Sequence, residues 1–117
     1  MKYKFSLKEA RKTGRPGIEG YAYSSQEDFE RASAALFIAK ERHGRIKNTH
    51  SDRIYLILDG EGEFIIGDEV VPVSKDDVVI VPRNTKYDYR GQLRLFLVHS
   101  PAYEPETDVD FEGLWSE

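Results

Sequence analysis

Arg53-Ile54-Tyr55-Leu56-Ile57-Leu58-Asp59 runs directly into Gly60-Glu61-Gly62 and then Glu63-Phe64-Ile65-Ile66-Gly67-Asp68. The first segment is apolar on both faces and rich in side chains that suit a pleated surface, so it reads as a strand. One face is expected inside a sandwich or barrel and the other against something else, a partner subunit being one candidate. Gly60-Glu61-Gly62 supplies permissive backbone and predicts a loop, and Gly67-Asp68 fits a two-residue hairpin whose first position takes a positive φ. Downstream, residues 69–73, 77–82, 86–90 and 93–99 repeat the pattern at short spacing, which is an all-β rhythm. Upstream, Ala34-Ala35-Leu36-Phe37-Ile38-Ala39 fits helix or strand on periodicity alone. The strands that follow decide it as strand.

The chain of 117 residues has 17 Lys plus Arg against 21 Asp plus Glu, a formal charge of −4, and 39% hydrophobic residues. That length suits one domain. We divide it into a lead-in (residues 1–32), a barrel core (33–101) and an acidic tail (102–117). Scattered basic residues in a mildly acidic chain give no footprint for a nucleic-acid backbone or an anionic membrane. With no cysteine, disulfides, thiolate metal sites and cysteine nucleophiles are excluded. The opening residues lack the apolar centre of a secretory signal, and cytoplasm is the expected compartment. In the lead-in, Ser6 and Glu9 are spaced as a capping box for about one helical turn before Gly14, Pro16 and Gly17 break it, and residues 18–24 read as an edge strand. The tail carries Glu104, Glu106, Asp108, Asp110, Glu112 and Glu117 without a base. Charge alone would make it a solvated extension, but Phe111, Leu114 and Trp115 are too apolar to be left in water. They are expected to dock on the barrel or on a neighbouring subunit.

Tyr55-Leu56-Ile57-Leu58-Asp59-Gly60-Glu61-Gly62-Glu63-Phe64, followed by Asp76-Asp77-Val78-Val79-Ile80-Val81-Pro82-Arg83-Asn84-Thr85-Lys86-Tyr87, resembles the two sequence blocks of the cupin superfamily. The resemblance covers residues 33–101 and implies a jelly-roll β-barrel in which two sheets close round a pocket lined by the blocks. It also implies where a metal would sit. In metal-binding cupins the first block supplies two histidines and a glutamate, and the second block a further histidine. Aligned on Gly60, the glutamate position holds Arg53, and the histidine positions fall on Ile46 and Asn48, or on Lys47 and Thr49. The last histidine becomes Tyr87. A guanidinium repels a divalent cation, so neither metal nor other cofactor is expected. An alternative count from Gly44 lands on His50 with Asp52 as second ligand, and a divergent metal site using His50, Asp52 and His99 stays open.

Alternation along the strand puts Arg53, Tyr55 and Ile57 on one face, which the resemblance makes the interior, and sets Tyr87 and Tyr89 together with Asp88 opposite. The pocket then has one cation, several phenols and His50 at its mouth, with Lys47 as a second positive charge. Such a lining suits an anionic or polyhydroxylated small molecule such as a sugar, sugar phosphate or carboxylate, with Arg53, Tyr89 and Lys47 as binding residues. The alternative is chemistry without metal: some cupin-like enzymes use a histidine base and a tyrosine acid. His50 with Tyr87 or Tyr55 would imitate that pair, Arg53 stabilising an enolate, in a sugar or keto-acid isomerase, epimerase or lyase. His43, beside Gly44, is expected at the surface, and His99 is expected to be structural. A homodimer is expected from the family and from the two-sided apolar strands.

Overall fold

Two long strands form the spine of the protein in the computed structural model, which describes residues 1–115. Strand β5 (Asp52–Ile66) and strand β8 (Tyr87–Ser100) pair antiparallel along almost their whole lengths. The remaining strands are β1 (Arg11–Arg15), β2 (Ile18–Ala22), β3 (Ser33–Ala39), β4 (Ile46–Asn48), β6 (Glu69–Ser74), β7 (Val78–Val81) and β9 (Asp108–Asp110). Residues 53–56 of β5 also pair with β7, and residues 61–66 with β6. Residues 93–99 of β8 carry β3, and Tyr87 at its start pairs with Ile46 of β4. The β5–β8 ribbon thus joins both halves of a curled antiparallel sheet, the all-β barrel expected. No described helix is long and apolar enough to cross a membrane.

The expected loop at Gly60-Glu61-Gly62 and the expected break near Gly91 are both continuous strand. Gly62 lies opposite Gly91, and a Cβ built on Gly62 would sit 2.1 Å from the Arg90 carbonyl oxygen. These glycines let two backbones approach rather than turn the chain. A register shift between Ile57 and Asp59 adds a bulge, which bends the ribbon and helps it curl. Gly67-Asp68 does make the two-residue hairpin, since Ile66 pairs with Glu69 and Gly67 has φ 59°.

The two flanks belong to the same sheet. In the lead-in, Pro16-Gly17 turns a hairpin instead of ending a helix: β1 pairs with β2 and β2 with β3, so β2 is not an edge. The helical turn shrinks to a 3₁₀ segment at Leu7–Glu9, where the Ser6 hydroxyl bonds the Glu9 carboxylate at 2.9 Å rather than a backbone N–H. At the other flank β9 pairs with β4, so residues 108–110 of the acidic tail are barrel wall. Glu117 lies outside the described residues. Inside, Ile18, Ile57, Phe64, Leu93 and Leu95 are fully buried and form the apolar floor beneath the site.

Candidate functional site

Alternation on β5 does turn Arg53, Tyr55 and Ile57 inward, each 4% exposed or less. Arg53 and Tyr55 line a cavity of about 480 Å³, together with Phe37, His43, Tyr89, His99 and Trp115. That volume is within the range of small-molecule sites.

At its centre is a directional chain of hydrogen bonds. Arg53 Nη1 donates to the Tyr87 hydroxyl at 2.7 Å, and the Tyr87 and Tyr55 hydroxyls are 2.5 Å apart. Tyr87 is buried and does not line the cavity, and among the described residues the acceptor within reach of its proton is the Tyr55 oxygen. Tyr55 does line the cavity, and its own proton is left to point there. Arg53 Nη2 meanwhile donates to Asp108 Oδ1 at 2.7 Å, and the Tyr103 hydroxyl donates to Asp108 Oδ2 at 2.7 Å. Burial works against the charge on Arg53, but Tyr87, Tyr55 and Asp108 outweigh it and the guanidinium stays protonated. Burial, with Tyr87 next, pushes the Tyr55 and Tyr89 phenols above their ordinary range, so both remain hydrogen-bond donors.

His43 closes one side of the cavity, and here the expectation of a surface residue is overturned: it is 5% exposed. Its ring lies 4.6 Å from that of Tyr89, 5.0 Å from Trp115 and 5.5 Å from Tyr87, and its backbone N–H donates to the Tyr89 carbonyl. Gly44, at φ 100°, turns the chain sharply behind it, and the buried Asp88 carboxylate accepts from the Gly44 N–H at 2.8 Å. Nδ1 lies 2.8 Å from the Gly44 carbonyl, which only accepts, so Nδ1 carries the proton and Nε2 keeps the lone pair. Burial lowers the pKa to about 4, leaving the ring neutral at physiological pH.

The tail supplies the cover. Trp115 Nε1 donates to the His43 carbonyl at 2.8 Å, and its ring meets Phe37 edge-on at 6.4 Å. Asp110 ties the turn by accepting the Trp115 backbone N–H, and Arg42 bridges Asp88 (2.5 Å) and Glu112 (2.8 Å). Trp115 therefore docks as expected of the tail's apolar groups, whereas Phe111 and Leu114 remain substantially exposed.

The structure does not bring every expected residue to the cavity. His50 does not line it: its side chain is 40% exposed, 4.0 Å from the Glu104 carboxylate, because the Asn48 side chain accepts the backbone N–H groups of His50 and Ser51 and turns the chain outward. Lys47 sits between Ile46 and Asn48, both buried, so alternation turns it away. Tyr87 acts behind Tyr55 rather than at the surface of the cavity. His99 lines the cavity, but Asp52 is exposed and accepts the Arg83 N–H, so His50, Asp52 and His99 do not converge. No group of three or more metal-ligating side chains occurs among the described residues. The donor set at the family's metal positions, Ile46, Asn48, Arg53 and Tyr87, is unsuited to a cation, and Arg53 places a fixed positive charge where one would sit. His43, Tyr103, Asp108 and Trp115 were not singled out by sequence as site residues. Only the apolar groups of the tail hinted at one of them.

The fold and this enclosed, phenol-lined pocket define a class: the chain belongs to the cupin family, whose domain model matches residues 37–98. Among solved structures it is similar to Pac13, a nucleoside dehydratase, with 24% identity, 94% of this chain and 91% of that chain covered, and a TM-score of 0.86. A histidine-to-glutamine variant of Streptomyces Pac13 with uridine matches at 24% identity, 96% and 92% coverage, and a TM-score of 0.87. KdgF from Halomonas matches at 15% identity, 91% and 99% coverage, and a TM-score of 0.77. These are likenesses of fold. No curated protein matches the chain.

Proposed function

We propose that the protein is a metal-independent lyase that removes water from a small polyhydroxylated substrate of the nucleoside class, with His43 as the proton-transfer residue and Tyr55 and Tyr89 as oxyanion donors. One observation carries this reading: a buried, neutral histidine with Nδ1 committed to the Gly44 carbonyl stands against Tyr89 in a cavity that also holds the Tyr55 hydroxyl. Similarity to Pac13 supports it, as does the set of Streptomyces Pac13 variants solved with uridine, one histidine-to-glutamine and two tyrosine-to-phenylalanine.

The chemistry follows from the residues. Nε2 of His43 takes a proton from a carbon next to a carbonyl group. The electron pair of that C–H bond becomes a C=C bond as the C–O bond to the β-hydroxyl breaks. Charge that builds on the carbonyl oxygen is met by the Tyr55 and Tyr89 O–H groups, the former polarised by Arg53 through Tyr87. A ring whose pKa burial holds near 4 is a strong acid once protonated, so it returns the proton to the departing oxygen and water leaves. The carbonyl is required of the substrate, because so weak a base needs an acidified C–H.

The test is calorimetric titration with uridine, followed by incubation with carbonyl-bearing nucleosides and mass spectrometry for loss of one water. Binding and water loss are expected, with His43→Gln lowering turnover ~10²–10⁴-fold. A product of unchanged mass would favour the isomerase reading, and turnover that survives His43→Gln would refute ours. The homodimer also belongs here as a proposal. Val78 and Ile80 leave an apolar strip of β7 more than half exposed, which suits a second copy. Sedimentation velocity showing a monomer at micromolar concentration would refute it.

A further inference from the structure

The cavity has a second polar end, of which the proposed chemistry uses only the Arg53 nitrogen that bonds Tyr87. Arg53 and His99 are opposite each other across β5 and β8, two register positions from the pair Tyr55 and Leu97, and both line the cavity. Each is nine-tenths buried or more, and each has a polar atom without a partner among the described residues: Arg53 Nε and His99 Nε2. Tyr103 holds both side chains in place, its ring 4.8 Å from the imidazole and 5.8 Å from the guanidinium carbon. Orphaned polar atoms this deeply buried are rare, because each costs the solvation it gave up. Two on one rung, in side chains that line one cavity, mark a place where a ligand group belongs.

We propose that this end is a recognition subsite for an uncharged ligand group that both accepts and donates a hydrogen bond, either a sugar hydroxyl or the amide edge of a nucleobase. The inference rests on the nucleoside-class reading above and says how such a ligand is oriented. An anion is the wrong occupant, although a buried arginine invites one. Both terminal nitrogens of Arg53 already donate, one to Tyr87 and one to Asp108, so a carboxylate or phosphate would have to share them with those partners. The Asp108 carboxylate, 2.7 Å away, already balances the guanidinium. Burial and the nearby Arg53 keep the His99 ring uncharged, so it adds no second cation. The nitrogens with no partner among the described residues are Nε of Arg53, which donates, and Nε2 of His99, which donates or accepts according to its tautomer. A group able to do both satisfies either tautomer.

The experiment is NMR of the native protein with ¹⁵N-labelled histidine rings, the His99 signals assigned by their loss in His99→Gln. Three probes are titrated: methyl ribofuranoside, methyluracil and inorganic phosphate. The His99 ring signals are expected to move with one of the two neutral probes and to stay still with phosphate. Movement with the ribofuranoside assigns the hydroxyl, and movement with methyluracil assigns the amide edge. Affinity for that probe should fall ~10-fold in His99→Leu, the loss of one buried hydrogen bond. Phosphate moving His99 as much as a neutral probe does would overturn the proposal. A still His99 with a responding His43 would overturn it while leaving the catalytic reading in place, and two unresponsive rings would remove both.

Discussion

Replacing Tyr87 by Phe removes one oxygen atom that lies outside the cavity wall yet joins Arg53 to Tyr55. The ring stays, so the packing around Phe64 and His43 is preserved. Two interactions go: the 2.7 Å bond from the guanidinium and the 2.5 Å contact with the Tyr55 hydroxyl. A hydrogen bond to a charged group contributes about 1.5–3 kcal/mol and a neutral one about 1 kcal/mol. Nη1 of a guanidinium that already has an unpartnered Nε is left short of an acceptor. The expected loss is therefore about 3 kcal/mol, which for a domain of this size lowers the melting temperature by roughly 10 °C. Tyr89→Phe is the matched control. Its ring is as deeply buried and it lines the cavity, but its hydroxyl makes no hydrogen bond among the described residues, so its stability should stay within about 0.5 kcal/mol of the native protein. Scanning calorimetry separates the two, and turnover should fall in both. If Tyr87→Phe melts with the native protein, or if Tyr89→Phe is the less stable variant, the relay from Arg53 to Tyr55 is wrong.

Acid should unfold the protein early. His43 has a folded-state pKa of about 4 against an ordinary 6.5, because burial disfavours its charge, and His99 is lowered as well. The unfolded chain takes up protons below 6.5 that the folded one refuses, so the stabilisation is fully present above that pH and drains away between 6.5 and 4. For His43 alone it amounts to about 3 kcal/mol. Urea denaturation at pH 7.5 and 4.5 measures it, and equal midpoints would contradict the burial of both rings. Gly62→Ala should cost about 1–3 kcal/mol, since its Cβ would meet the Arg90 carbonyl oxygen at 2.1 Å. Chemical denaturation showing no loss would argue against continuous β5–β8 pairing. Dialysis against a strong chelator should leave turnover unchanged, because the residues at the family's metal positions are Ile46, Asn48, Arg53 and Tyr87. Loss of activity that added metal restores would refute the metal-free mechanism.

Much of the barrel could be read from neighbouring residues. Alternation from Arg53 to Ile57 located the inner face, and Gly67-Asp68 located a hairpin, because both are set by residues adjacent in the chain. Gly62 and Gly91 misled for the opposite reason: the demand they meet is a backbone on another strand, so a close crossing looked like a turn. The candidate site followed the same division. Tyr55, Tyr89 and Arg53 were found through strand periodicity. His43 was missed because what buries it, Trp115, arrives from 72 positions further along, and the histidine stands in a loop with no period to mark it. His50 was favoured by its distance from Gly44, but the Asn48 side chain turns that stretch outward.

The covering segment from Asp108 to Trp115 contributes an arginine counter-ion and an aromatic wall to the cavity, yet among the described residues β9 pairs with the sheet through the three residues of β4 alone. The cavity wall is thus divided between the β5–β8 spine, which carries Arg53, Tyr55 and Tyr89, and a strip laid along the sheet's margin. A laboratory wishing to change what the protein accepts could begin with this strip, retaining Asp108 as the anchor and Trp115 as the cover of His43.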